Sequence, residues 1–230
     1  MSLLTPNVVT EQLTVAGRAI EHDSFAVIDG EVGNHGYTPE QWPLVRRMIH
    51  ASADFDFNGL TEFHPQAVTA GLAAILSGRT RVVADVEMIC VGLSTPRLAH
   101  FCISTHQFIS DADVIAQART QGTTRAVQAM RKAHQLGLLD RAIVGIGNAP
   151  TALMEVVRLI REEAARPALV VGMPVGFVSA AESKDLMALQ TDVPWVVIRG
   201  RKGGSTLVVA AIHALLGMAE AHELRQGLAA

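Results

Sequence analysis

A three-layer α/β/α fold with a mainly parallel central sheet is predicted by three features of the chain. Short apolar runs recur along it, each opens into a loop rich in glycine, hydroxyls and bases, and a segment of helical periodicity follows the loop. Apolar runs that do not alternate with polar residues are strands buried on both faces. Strands that alternate with helices pair in parallel through right-handed crossovers. Composition agrees, since 49% of the 230 residues are hydrophobic but 4% are aromatic, leaving Ala, Val, Leu and Gly to build the layers.

The elements follow in chain order. Thr38-Pro39-Glu40-Gln41 has the spacing of a capping box, with proline at the first helical position. The helix it opens carries Val45 and Ile49 on one face and reaches His50. Pro65 starts a second helix that ends near Gly78. Residues 81–84 read as a strand with a loop over 85–97 behind it, 101–104 as another strand, and 124–136 as a helix stopped by Gly137. The run 142–145 is a strand that breaks at Gly145-Ile146-Gly147-Asn148-Ala149-Pro150-Thr151. Leu153, Val156, Val157 and Ile160 then mark a buried helical stripe that ends by Pro167. A strand over 168–172 leads through 173–178 to Ser179-Ala180-Ala181-Glu182, a second capping-box spacing. A strand over 195–199 leads to Gly200-Arg201-Lys202-Gly203-Gly204-Ser205, where Ser205 is placed to cap a last apolar helix that stops at Gly217.

The formal charge of −3 is made of acids and bases mixed along the chain. No basic run points to nucleic acid or an anionic membrane, so any anionic ligand must be met by a local cluster of bases. Cys90 and Cys102 lie in apolar runs without ligand or CxxC spacing and are expected to be two buried thiols in a reducing compartment. The opening MSLLTPNVVTEQL lacks the basic start and long apolar stretch of a secretion signal. No uncharged apolar run reads as approaching the roughly 18 residues of a membrane span. The expectation is one cytoplasmic domain over residues 1–230.

In a sheet of this kind ligands bind beyond the carboxyl ends of the strands, where loops precede helix N-termini. Four loops qualify: 85–97, 145–151, 172–184 and 199–205. Arg97, Arg125, Lys184, Arg199, Arg201 and Lys202 lie in or near them and together suggest an electropositive rim for a carboxylate or phosphate ligand. The segment 145–150 begins like a dinucleotide fingerprint, yet Pro150 stands at the third glycine position. The acidic residue expected about 20 positions further is also missing. No Walker loop, GxSxG elbow, HExxH or paired-carboxylate spacing occurs. His22, His134, His213 and His222 fall in helical patterns, and His64 precedes Pro65 at a cap. His50 stands at a helix C-terminus ahead of Asp54 and Asp56, where the helix dipole and two carboxylates would favour the imidazolium and a role as proton donor. A structural or capping histidine fits the same position.

Three strings carry a resemblance to a known family: Gly147-Asn148-Ala149-Pro150-Thr151-Ala152-Leu153, then residues 172–184 (GMPVGFVSAAESK), then Arg199-Gly200-Arg201-Lys202-Gly203-Gly204-Ser205. Shorter matches are Ala19-Ile20-Glu21 with Ser24-Phe25, Arg47-Met48-Ile49-His50-Ala51, Asp85-Val86-Glu87-Met88, and Thr124-Arg125. In this order, over about 17–216, the chain resembles the precorrin-8X (cobalt-precorrin-8) methylmutases of vitamin B12 biosynthesis. The resemblance implies a Rossmann-like sheet, a homodimer and no cofactor or metal. It also implies a large tetrapyrrole substrate edged with carboxylates, precorrin-8X or cobalt-precorrin-8. The reaction implied moves the C11 methyl to C12 by a sigmatropic shift helped by protonation of the ring, giving hydrogenobyrinic or cobyrinic acid. By resemblance His50 is the catalytic acid, Ser24 contacts the ring and Arg125 is the binding arginine. Ser94, Thr95, Arg97, Asn148, Lys184, Arg201, Gly203, Gly204 and Ser205 complete the expected substrate-binding set. Two departures stand out, Pro96 within the 94–97 loop and the absence of Thr-Gly after His50. A tetrapyrrole carrier without catalysis on the same scaffold, and a generic Rossmann-like nucleotide enzyme, are the competing readings. An intact His50 counts against the first and the broken glycine fingerprint against the second.

Overall fold

The computed structural model describes residues 14–227; the opening segment read for a secretion signal lies outside them. In chain order the elements are α1 (Val15–Val32), α2 (Trp42–Ser52), an irregular turn α3 (Phe57–Leu60), β1 (Thr61–Phe63), α4 (Ala67–Leu76), β2 (Arg81–Ala84), α5 (Glu87–Gly92), α6 (Thr95–His100) and β3 (Ser104–His106). There follow α7 (Ala112–Thr120), α8 (Arg125–Gln135), β4 (Ile143–Ile146), α9 (Pro150–Glu162), β5 (Leu169–Gly172), α10 (Ala180–Ala188), β6 (Trp195–Ile198) and α11 (Ser205–Gln226). The six strands form one sheet in the order β1-β6-β5-β4-β2-β3. Every pair is parallel except β1 with β6, an antiparallel edge in which Glu62 faces Val197.

Side chains alternate between two cores with the period of two that a pleated strand imposes. Val82, Ile143, Val171 and Val196 enter the core shared with α2, α4, α5 and α11. Their neighbours Val83, Val144, Val170 and Val197 enter the core shared with α7 to α10. Both faces are covered, which is why these strands read as unbroken apolar runs. The three-layer α/β/α architecture with its mainly parallel sheet is the one expected.

Several boundaries differ from the local reading, each for a tertiary or backbone reason. The Thr38 and Gln41 side chains do exchange reciprocal bonds, Gln41 Oε1 accepting from Thr38 N at 3.1 Å and Thr38 Oγ1 from Gln41 N at 3.3 Å. They close a turn that precedes the helix, which takes Pro43 rather than Pro39 into its first turn. The 85–97 stretch is largely helical, because Pro96 fits the first turn of α6 as proline does wherever no N–H is needed. Phe101 and Cys102 end that helix, with Cys102 at φ 54°, so β3 begins three residues later than expected. Cys102 is exposed and Cys90 half-buried, so the two buried thiols are not found. Ser179 takes a left-handed conformation and makes no side-chain cap.

The last helix runs through Gly217 to a left-handed Gly227. Beyond Gly217, Ala219 and Glu220 are buried, and Glu220 meets Arg97, so continuation is favoured by tertiary contacts. At 22 residues α11 is long and apolar enough to cross a membrane, contrary to the sequence reading. Its Leu207, Val208, Ala211, Ile212 and Leu215 are spent on α2, α4, α5 and the sheet, as in a core helix.

Candidate active site

The middle of α1 and the end of α2 bring Ser24 and His50 to one cavity of about 450 Å³, also lined by Asp23, Val27, Glu31 and Phe55. His50 occupies the last turn of α2, which closes on a left-handed Ala53 whose N–H donates to the Ile49 carbonyl at 2.7 Å. Ala53 thus accomplishes the turn without the Thr-Gly found missing here. The imidazole meets the Phe25 ring edge-on, 5.1 Å between centroids. Ser24 Oγ donates to the Ile20 carbonyl one turn back at 2.7 Å, a bond that leaves the oxygen's acceptor capacity unused.

Charge at His50 is not what the local sequence implied. Burial, and after it the Arg47 guanidinium, push its pKa below the ordinary histidine value. The two carboxylates expected to support the imidazolium are turned to Lys202, whose Nζ donates to Asp54 at 2.5 Å and Asp56 at 2.7 Å. The resting imidazole is neutral near pH 7.

The three strand-end loops are laced into one unit. Met173 N donates to the Ile146 carbonyl at 2.7 Å, Gly204 N to the Met173 carbonyl at 2.8 Å, and Gly176 N to the Arg201 carbonyl at 3.2 Å. A Cβ on Gly147 would lie 2.6 Å from Ser205 Cα, and one on Gly203 would lie 2.3 Å from the Met173 carbonyl oxygen. Gly203, Gly204 and Ser205, expected to touch substrate, are thereby occupied in packing the loops. Asp85, which opens one of the family strings but was given no role from sequence, is fully buried directly after β2. Its carboxylate accepts from Gly147 N (3.1 Å), Asn148 N (2.9 Å) and Ala149 N (2.7 Å). Burial pushes its pKa up while those amides pull it down. The N–H groups that would cradle a phosphate are thus already filled by an internal acid. An Asp directly after an apolar strand was the signal available in the sequence.

The basic rim narrows to two residues. Arg97 is buried and bidentate on Glu220, with Nε and Nη2 each 2.8 Å from a carboxylate oxygen. Lys184 is buried and donates to the Lys202 carbonyl at 2.8 Å. Arg199 pairs with Glu62. Arg201 is exposed, with its guanidinium 5.6 Å from the centre of the exposed Phe177 ring. Arg125 is exposed beside Asn148, Thr124 and Thr151 in a second cavity of about 530 Å³ at the ends of β2 and β4. Ser94 and Thr95 begin α6 away from both cavities, with Ser94 N donating to His213 Nε2 at 3.0 Å. Arg97, Ser94, Thr95 and Lys184 therefore do not gather with His50, because long-range partners and packing claim them.

The precorrin-8X methylmutase family model matches residues 19–218 of this chain. The chain belongs to the precorrin-8X methylmutase family. Methylmutases of this family are isomerases that move a methyl group within one molecule. The chain is 49% identical to the cobalt-precorrin-8 methylmutase of Leptospira interrogans, over 89% of its own length and 95% of that protein. It is 40% identical to the precorrin-8X methylmutase of Pseudomonas aeruginosa, over 86% and 94% respectively. The solved precorrin-8X methylmutase of Thermus thermophilus superposes with a TM-score of 0.82 at 50% identity, covering 89% of this chain and 99% of that one. The methylmutase signature strings 147–153, 172–184 and 199–205 are those of the laced loops. Much of their specificity thus reflects packing of three crossovers onto one sheet edge, with Arg201 and Asn148 left exposed at its rim.

Proposed function

We propose that the protein moves the C11 methyl of precorrin-8X or cobalt-precorrin-8 to C12, with His50 as the acid that protonates the macrocycle. The observation that carries this reading is the pairing of Ser24 and His50 across one cavity, with no nucleophile–base pair required. A neutral resting imidazole fits such a role when the substrate is a polycarboxylate. Carboxylates bound beside the ring favour its charged form, so substrate binding itself loads the proton that the ring then delivers. Migration needs no attack by a protein group, so the remaining work is binding, orientation and stabilisation of the charge that develops. Arg125, Arg201 and Asn148 are the residues read as holding the carboxylate edge, and the whole chain is read as one methylmutase domain. A homodimer is part of the same reading, and the exposed apolar side chains Phe177 and Val178 beyond β5 are surface that a second copy would cover.

Turnover of precorrin-8 and of its cobalt complex by His50→Ala tests the reading. Loss of a general acid lowers kcat by about 10²–10⁴, while a carrier without catalysis would show no turnover in either protein. Product binding supplies the sign of the proton step. Burial and Arg47 hold the free-state pKa below the ordinary histidine value, and bound carboxylates should raise it from there. Hydrogenobyrinic acid should therefore bind wild type more tightly as pH falls through the window between the bound and free values, with one proton taken up. His50→Ala should lose that slope. Wild-type turnover, or an unchanged slope, in the variant would remove His50 from the chemistry.

A further inference from the structure

Glu21, Ser24 and Phe25 share one face of α1, being three and four residues apart, and Arg47 lies one turn before His50 on α2. Where these faces meet, Arg47 is ion-paired to Glu21. Arg46 pairs with Asp29 at 2.7 Å, and the Trp42 indole donates to the other oxygen of Asp29 at 2.8 Å. Phe25 lies under both guanidinia, 4.4 Å from Arg46 and 5.6 Å from Arg47, and its ring is the one that meets His50. Ile28 is the one buried residue of α1. A helix with so narrow an apolar contact depends on its polar clamps for its seat.

We propose that the Arg47–Glu21 pair is a positioning device, which seats α1 on α2 so that Ser24 and His50 face one cavity and which sets the charge felt by the His50 ring. Its catalytic consequence rests on the reading of His50 as the acid, whereas its effect on the ring does not. Charged and titratable groups surround the pair and the ring, and Arg97 of α6 and His213 of α11 line one cavity with Glu21 and Arg47. Asp23 and Glu31 of α1 line the same cavity. Asp54 and Asp56 follow α2 and are held by Lys202 of the β6–α11 loop. Arg47 is the cation that lowers the pKa of His50, and Glu21 is its counter-charge.

The test is the titration of His50 by NMR in ligand-free protein with labelled histidine rings, His50→Ala supplying the assignment. Arg47→Met removes the cation and should raise the midpoint by roughly half a pH unit. Glu21→Gln leaves the cation without its counter-charge and should lower the midpoint by a similar amount. Opposite signs are the signature, since simple loosening of the helix pair would move both variants the same way. Arg47→Lys keeps the charge, so its midpoint should stay near wild type while its kcat falls severalfold through the lost fork geometry. If Arg47→Met does not fold, Glu21→Gln and Arg47→Lys decide the matter. Shifts of the same sign, or a Glu21→Gln midpoint equal to wild type, would overturn the proposal. Because the titration needs no substrate, full turnover by His50→Ala would remove the catalytic reading and leave this result standing.

Discussion

Lys184 is 1% exposed under the β6–α11 loop, with its ammonium on the Lys202 carbonyl. Burial pushes its pKa down from 10.5 to about 8. At pH 7 the folded protein therefore holds a buried charge at some cost, and that cost vanishes as the amine deprotonates. Between about pH 8 and 10.5 the unfolded chain binds a proton that the folded chain does not, so this group makes stability rise with pH. The ceiling is roughly 3 kcal/mol, from the shift alone. Urea unfolding of wild type and Lys184→Met at both ends of that window should show the wild-type advantage growing by about 1–3 kcal/mol. Parallel pH profiles would mean that the amine stays solvated. The same residue shows why a lysine in a ligand-side loop is not thereby a ligand. Its side chain is consumed in holding the loop that carries Lys202 to Asp54 and Asp56.

At the scale of elements, the crossing of three loops at the sheet edge depends on glycines that lie against backbone. The virtual Cβ of Gly147 falls 2.6 Å from Ser205 Cα and 2.7 Å from its nitrogen, atoms that cannot rotate away. Gly147→Ala must therefore separate β4 from the start of α11 and pull on the amides that Asp85 satisfies. A loss of about 1–3 kcal/mol in unfolding free energy is expected, as for overpacking elsewhere. Gly30→Ala is the contrasting substitution. It lies exposed within α1, nothing stands within 4 Å of its added methyl, and its backbone is helical. It should gain about 0.5–1 kcal/mol by lowering the entropy of the unfolded chain. Thermal or urea unfolding of the two variants checks both, and equal effects would show the loop crossing to be looser than its geometry.

Across the whole molecule, a net charge of −3 opposes a polycarboxylate at long range, so affinity depends on local cations. Four of the six rim bases are committed to internal partners, which leaves Arg125 and Arg201 exposed without a carboxylate partner among the described residues. Replacing either with Ala should weaken hydrogenobyrinic acid binding by about 1–3 kcal/mol, as lost charge-assisted bonds do. The loss should shrink as salt rises. Arg161 and Arg166 serve as controls, since they donate to Gln190 and to the Ile160 and Ala165 carbonyls on the far side of α9. Titration of the visible bands at two salt concentrations measures all four. Equal, small losses would mean that the arginines do not hold the carboxylates.

The sequence by itself determined the layers, because burial on both faces of a strand writes an unbroken apolar run that needs no distant information. It also determined the family, through strings such as 172–184, and it placed His50 at the end of its helix and the start of α8 at Thr124, one residue from where it begins. Tertiary structure decided which polar side chains remained available. Arg97 met Glu220 across 123 positions of chain, Asp85 met the 147–149 amides across more than 60, and Glu21 met Arg47 across 26. It decided the protonation of His50 as well, since Asp54 and Asp56 turned to Lys202 while burial and Arg47 acted on the ring. Propensity, capping and periodicity act over a turn or a strand. Ion pairing and desolvation act over whatever distance in sequence the fold has closed, so the charge state of this site is a property of the assembled layers.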